Sequence, residues 1–368
     1  MIPVNEPLIA PNALPYVKDC IETGWISSSG KYIEQFESAF AKYLDVAYAT
    51  TTTNGTTALH LALAALDIQK GDEIIVPDLT IISCGLAPLY MGATPVFVDV
   101  DPRTGNIDPT LIEKHITKKT KAIMVVHLYG HAADMDPIME IARRHNLHVV
   151  EDAAEAHGAL YKGKKVGGIG DIGCFSFYGN KIVTTGEGGM VVTNNKSLYE
   201  HAKVLKDLAH SPAKRFYHEE VGFNFRMTNM QAALGLAQLE QINTYLKIKM
   251  HMAEQYTKQL SDIKCLELPI QESWATNVYW MYALLVKKDA NVNRDTLRKK
   301  LKESGIDTRD YFVPLHRQPV FVSLGLSKKA SYPVSDDLSD RGFYLPSGLA
   351  ITDEQIRQVT TVLHTLLP

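Results

Sequence analysis

Apolar positions recur at helical spacing in TTALHLALAALDI (56–68), and the pattern then changes to short runs. EIIVPD (73–78), TPVFVDVD (94–101), KAIMVVHLYG (121–130) and LHVVEDAA (147–154) are apolar on both alternations. CFSFYG (174–179) and GGMVVTN (188–194) follow, and the amphipathic DPIMEIARRHN (136–146) lies between two of the runs. A strand with one wet face alternates apolar and polar residues. A strand covered by helices on both faces does not. The strand–helix–strand order from residue 55 to about 200 therefore predicts an α/β fold with a mostly parallel sheet. Residues 227–262 predict one or two long helices. From about 263 a strand run, YWMYALLV (279–286), and a helix, RDTLRKKLKESG (294–305), predict a smaller α+β C-terminal domain. The expected division is a large domain of residues 1–245 and a small one of residues 246–368. No internal repeat or low-complexity linker interrupts the chain.

The 368 residues suffice for a large domain with a smaller one beside it. Hydrophobic residues make up 45% and charged residues 21%, ordinary for a globular protein. The net charge of −3 comes without a basic stripe, which argues against nucleic acid as a partner. The opening MIPVNEPLIAPN has polar residues and prolines where a signal peptide needs an apolar run. No run approaches a membrane span. The expectation is a cytoplasmic protein with no membrane partner. Cys20, Cys84, Cys174 and Cys265 lack metal-like spacing and read as reduced core thiols. Without a secretory signal, the sequons at Asn54 and Asn195 are not read as glycosylation sites.

Ligands of open α/β sheets bind beyond the carboxyl ends of the strands, so polar groups that follow apolar runs are the candidates. Asp152 ends LHVVEDAAEAHG, and a carboxylate there needs a cation or hydrogen-bond donors. Taken alone it is better explained as a helix N-cap. TTTNGTTALHLALAAL places Asn54, Gly55 and Thr56 at a helix start, where free N–H groups favour anions. Phosphate cradle and simple cap are near-equal explanations. Lys181 lies between an apolar strand and the glycine-rich TTGEGGMVV. Most lysines at strand ends are solvated. One held in a desolvated pocket has a lowered pKa and can attack carbonyls. In combination the three supply what pyridoxal phosphate requires: an amine for its aldehyde, a cradle for its phosphate, and a carboxylate against its pyridine nitrogen. Two patterns are discounted. GIGDIG (168–173) matches G-x-G-x-x-G but precedes a strand, whereas the dinucleotide fingerprint follows one. His127 and His131 flank a strand end with no HExxH motif, so no metal is expected.

EDAAEAHG, GCFSFYGNKIVTTGEGGMVVTN, VGFNFRMTN and YFVPLHRQPVF, in this order and spacing, resemble the DegT/DnrJ/EryC1/StrS family of sugar aminotransferases. The resemblance starts at GWISSSGKYIEQFE (24–37) and covers nearly the whole chain. It implies the aspartate aminotransferase-like fold (fold type I), a mostly parallel seven-stranded sheet, and a homodimer with active sites at the interface. It further implies that Lys181 is the Schiff-base lysine and Asp152 the pyridine-nitrogen partner. Glu155 stands where the family has a residue near the cofactor's phenolic oxygen. Ser176 resembles a phosphate ligand, and Asn224 a residue that reaches the phosphate in the partner subunit. Where the family often has a ring-stacking aromatic, this chain has Ile81, which implies apolar cover instead.

The substrates implied are L-glutamate and a nucleotide-linked 4-keto-6-deoxy sugar aminated at C4. GDP-4-keto-6-deoxy-D-mannose comes first, with dTDP- or UDP-linked 4-keto or 3-keto sugars as alternatives. Trp25, Tyr311 and His316 lie in family motifs near the sugar-nucleotide side, His127 is a further candidate, and Arg215 is a basic residue suited to the diphosphate. Packing and surface hydrogen bonds explain the first four equally well. Relatives that are sugar dehydratases have a histidine in place of this lysine, so Lys181 argues against dehydration. A non-catalytic cofactor-binding regulator is the alternative of another class, and the intact lysine, aspartate and phosphate loop argue against it.

Overall fold

The computed structural model describes residues 1–211, 213–327 and 331–367, the side chain of Arg215 excepted. Seven strands form the main sheet: β1 (Tyr48–Thr52), β2 (Glu73–Pro77), β3 (Thr94–Val98), β4 (Thr120–Val126), β5 (His148–Asp152), β6 (Ile172–Ser176) and β7 (Gly189–Thr193). Their order is β1-β7-β6-β5-β4-β2-β3. β7 runs antiparallel to both neighbours, and the remaining pairs are parallel. The both-faced apolar runs divide as the pleat requires. Ile75, Ile123, Val125 and Val149 join one buried cluster, while Ile74, Val76, Met124 and Val150 join another on the opposite face. Each such side chain contributes roughly 1.5–3 kcal/mol by leaving water.

β1 has no apolar run. Its Thr50, Thr51 and Thr52 are buried, and side chains from other segments pair with the first two. The N–H and hydroxyl of Thr51 donate to Glu37 at 2.7 and 2.8 Å. Lys206 Nζ stands 3.1 Å from the same oxygen and donates to the Thr51 carbonyl at 2.8 Å. The helix 227–262 breaks at Gln241 into Asn229–Glu240 and Ile242–Leu260.

The smaller sheet has the order Leu266–Glu267, Tyr282–Val286, Gly342–Leu345, Arg309–Asp310, all antiparallel. A third cluster lies beneath it and includes Tyr256, Tyr282, Phe343 and Ile356. The helix Ile242–Leu260 runs through the expected division at residue 245. Ile242 and Tyr245 pack in the large core, whereas Met252, Tyr256 and Leu260 pack in the small one. Ile2 also packs in the small core, and its N–H donates to the Gly305 carbonyl at 2.7 Å. We propose that this helix is the joint between two units and that the first residues side with the smaller one. Within YWMYALLV only Tyr282–Val286 is strand. Tyr279 takes a positive φ of 47°, and Trp280 leaves the sheet for the large unit.

Candidate active site

A cavity of about 380 Å³ opens at the carboxyl ends of β1, β5 and β6. Asn54 follows β1 and caps the helix Gly55–Ala65. Its side chain accepts the Thr57 N–H at 2.9 Å, and Thr57 Oγ1 accepts the Asn54 N–H at 3.1 Å. The N–H groups of Gly55 and Thr56 have no acceptor among the described residues. These are the orphan donors of a helix start, and they favour an anion. Thr56 Oγ1 lies 2.8 Å from Ser83 Oγ. A Cβ on Gly55 would come within 2.7 Å of Ser176 Cβ, so only glycine lets the helix start and the end of β6 share one cradle.

Asp152 ends β5 at the cavity floor. One of its oxygens accepts the Ala154 N–H at 3.0 Å, the short-range bond of an N-cap. The other accepts the Cys84 thiol at 3.0 Å. Lys181 follows a turn after β6, its N–H donating to the Tyr178 carbonyl at 2.9 Å. Its Nζ lies 4.0 Å from Glu155 and 3.8 Å from the centre of the Trp280 ring. Burial holds the Lys181 amine below the ordinary lysine range, with Glu155 and Asp152 pulling the other way. Burial pushes Glu155 up to about 7, against the pull of Lys181 and of the Tyr129 N–H, which donates to it at 2.8 Å. Ile81, 37% exposed, lines the same cavity as an apolar wall. So Asn54, Gly55, Thr56, Ile81, Asp152, Glu155, Ser176 and Lys181 come together around one space. The donor set fits pyridoxal phosphate: orphan N–H groups for a phosphate, a carboxylate below, and a desolvated amine at the side.

Sequence reasoning missed Trp280, Phe312 and Tyr344, which also line this cavity and lie beyond the helix Ile242–Leu260 in the chain. Trp280 Nε1 donates to the Asn180 carbonyl at 2.8 Å, tying it to the Lys181 turn. The strand-like composition of YWMYALLV concealed this, since nothing in it marks where the chain leaves the sheet.

The remaining candidates lie elsewhere. His127 corrects an expectation. It is fully buried, its Nε2 is 3.0 Å from Glu151, and its Nδ1 accepts the Ala133 N–H at 3.1 Å. With both nitrogens engaged inside the fold it cannot meet a substrate. Glu151 in turn accepts N–H groups from Gly167, Ile169 and Gly170 at 2.7, 2.7 and 2.6 Å. The glycine-rich run set aside as a dinucleotide motif thus binds a carboxylate of its own chain. Trp25 is 58% exposed, in a separate groove with Lys31 and Glu34. Tyr311 packs on Tyr129 and lines a second cleft with Leu128, Leu266 and Leu285. His316 Nδ1 is 2.6 Å from Asp78, and that contact raises its pKa although burial opposes it. Asn224 Oδ1 accepts from Arg226 at 2.9 Å and does not line the cavity of its own chain. The Arg215 side chain lies outside the described residues. Cys20, Cys84 and Cys174 are buried thiols, whereas Cys265 is only partly so. No cluster of metal-binding side chains occurs among the described residues.

The fold and this donor set define a pyridoxal-phosphate-dependent enzyme of fold type I. The chain belongs to the DegT/DnrJ/EryC1/StrS aminotransferase family, whose profile matches residues 7–364. It is 46% identical over 355 residues to a GDP-perosamine synthase of Escherichia coli O157:H7, covering 96% of this chain and 95% of that protein. A GDP-perosamine synthase of Caulobacter vibrioides is 44% identical over 367 residues, covering 100% and 98%. Among solved structures, S. venezuelae DesV in complex with a ketimine intermediate superposes with a TM-score of 0.91 at 33% identity, covering 98% and 99%.

Proposed function

We propose that the protein transfers the amino group of L-glutamate to the C4 keto group of GDP-4-keto-6-deoxy-D-mannose, giving GDP-perosamine. The carrying observation is the desolvated Lys181 amine beside Glu155 and above Asp152, in one cavity with an anion cradle. The near-full-length likeness to GDP-perosamine synthases supports the choice of sugar. Bound pyridoxal phosphate supplies an electron sink for charge developing at the carbon next to the transferred nitrogen. The chain's residues do the rest. Asn54, Gly55, Thr56 and Ser176 hold the phosphate. Asp152 keeps the pyridine nitrogen protonated. Lys181 moves a proton between Cα of glutamate and the cofactor's C4′, and later returns one at C4 of the sugar. Burial lowers the Lys181 pKa, which favours the free-amine form that this work needs. Trp280, Phe312 and Tyr344 exclude water.

The working form on this reading is a homodimer in which Asn224 completes the partner's phosphate site. Leu14, Ile21, Trp25 and Ile26, exposed on the single chain, support such an interface. Among the described residues no helix is long and apolar enough to cross a membrane, which is compatible with action in the cytoplasm. The product suits the O-antigen of a lipopolysaccharide. The test is a competition: glutamate with equal GDP- and dTDP-linked 4-keto-6-deoxy sugars, read by mass spectrometry. Amination of the GDP sugar is expected. Amination of the dTDP sugar overturns the nucleotide assignment, and amination of neither overturns the GDP-sugar assignment in favour of a 3-keto or UDP-linked substrate or a non-catalytic protein.

A further inference from the structure

We propose that Cys84 is a positioning residue that holds the Asp152 carboxylate from behind and so sets how strongly it acts on a bound cofactor. This rests on the reading that Asp152 faces the pyridine nitrogen. Cys84 lies in the first turn of the helix Ser83–Tyr90 and is fully buried. Its Sγ is 3.0 Å from Asp152 Oδ2, and Thr80 Oγ1 is 3.5 Å from the same sulfur. Asp152 lines the cavity and Cys84 does not, so the thiol approaches from the protein side. Ala154 donates to the other oxygen at 3.0 Å. An ionised carboxylate offers about four lone-pair sites, so these two bonds fix its plane and leave the cavity-facing sites open.

The choice of sulfur matters. Donors to a carboxylate favour its charged form and lower its basicity. A thiol is a weak donor, so it orients the group without competing strongly with a donor on the cavity side. Burial and the Asp152 charge both push the Cys84 thiol well up, which keeps it in the donating S–H form. Alanine would free the carboxylate to turn. Serine would keep a donor in place, and a stronger one.

The experiment has two readouts on wild type, Cys84→Ala, Cys84→Ser and Asp152→Asn. The first is the infrared S–H stretching band of Cys84 in the cofactor-free protein, assigned by its loss in C84A. It is expected at lower frequency than a thiol without an acceptor, and expected to move when Asp152 becomes Asn. The second is the absorbance of the bound cofactor across pH, with kcat and KM. C84A is expected to shift that titration and lower kcat about three- to tenfold with KM little changed. C84S is expected to stay closer to wild type. An S–H band indifferent to D152N overturns the contact. A normal band with unchanged cofactor titration in C84A, when D152N does change it, overturns the role and leaves the Asp152 reading standing. An unchanged titration in D152N overturns both.

Discussion

Lys181 and Glu155 face each other in a space where neither is comfortable as an ion. On the proposed function, replacing Lys181 with Ala removes both the nucleophile and the proton carrier, and turnover should fall by more than about 10⁴-fold, measured as product formed from glutamate and keto sugar. Glu155 yields a stability prediction. Its folded pKa of about 7 exceeds the ordinary 4.5. The folded protein therefore keeps a proton that the unfolded chain releases. That contribution is full below pH ~4.5 and is lost as pH rises through ~7, a change on the order of 3 kcal/mol. In the cofactor-free protein, the stability gap between wild type and Glu155→Gln should shift by that amount across this window in urea titrations. A gap independent of pH would contradict the raised pKa. At this scale the sequence was partly legible. Asp152 ends a strand and Lys181 follows one, and the strand-end rule finds such groups. His127 follows one too, but the left-handed Tyr129 beside it, with φ 51°, belongs to a turn no composition signal marks. Cys84 was invisible because its partner lies 68 residues away in the chain.

Among elements, the helix Gly55–Ala65 and β6 meet with no space to spare. Gly55→Ala should force them apart, costing about 1–3 kcal/mol of stability and widening the cradle. Equilibrium dialysis should show at least a several-fold loss of pyridoxal phosphate affinity, and unchanged affinity would remove the cradle from the binding site. The element pattern explains which strands were readable. β2 to β6 are apolar on both alternations and announce themselves. β1 reads as loop because its buried threonines are satisfied by Glu37 and Lys206, which arrive from distant segments. GIGDIG shows the converse, a motif whose donors were real but whose anion was Glu151.

For the whole molecule, Lys249 sits at the joint. Its Nζ donates to the Trp280 carbonyl at 2.9 Å and also to that of Ser347. Burial pulls its pKa down to about 7. Between pH ~7 and the ordinary lysine value near 10.5, the unfolded chain binds a proton that the folded one refuses. Stability therefore gains a rising component across that window. Lys249→Met should lack it, and two unpaired carbonyls should leave the variant about 1–3 kcal/mol weaker at pH 9.5. Urea melts at pH 7 and 9.5 would show both effects. The second, antiparallel sheet was legible from the shift in pattern near residue 263. The joint was not, because one unbroken helix serves both cores and an amphipathic stripe does not say which core it faces. Because Trp280, Phe312 and Tyr344 reach the cavity from the chain beyond the helix Ile242–Leu260, keeping the cofactor depends on how that segment packs against the main sheet. Mild urea should release it before helical circular dichroism falls, with an m-value below that of global unfolding. The escape of the coenzyme would then report a partial opening, a foldon with its own free energy, and not the strength of any single bond to it.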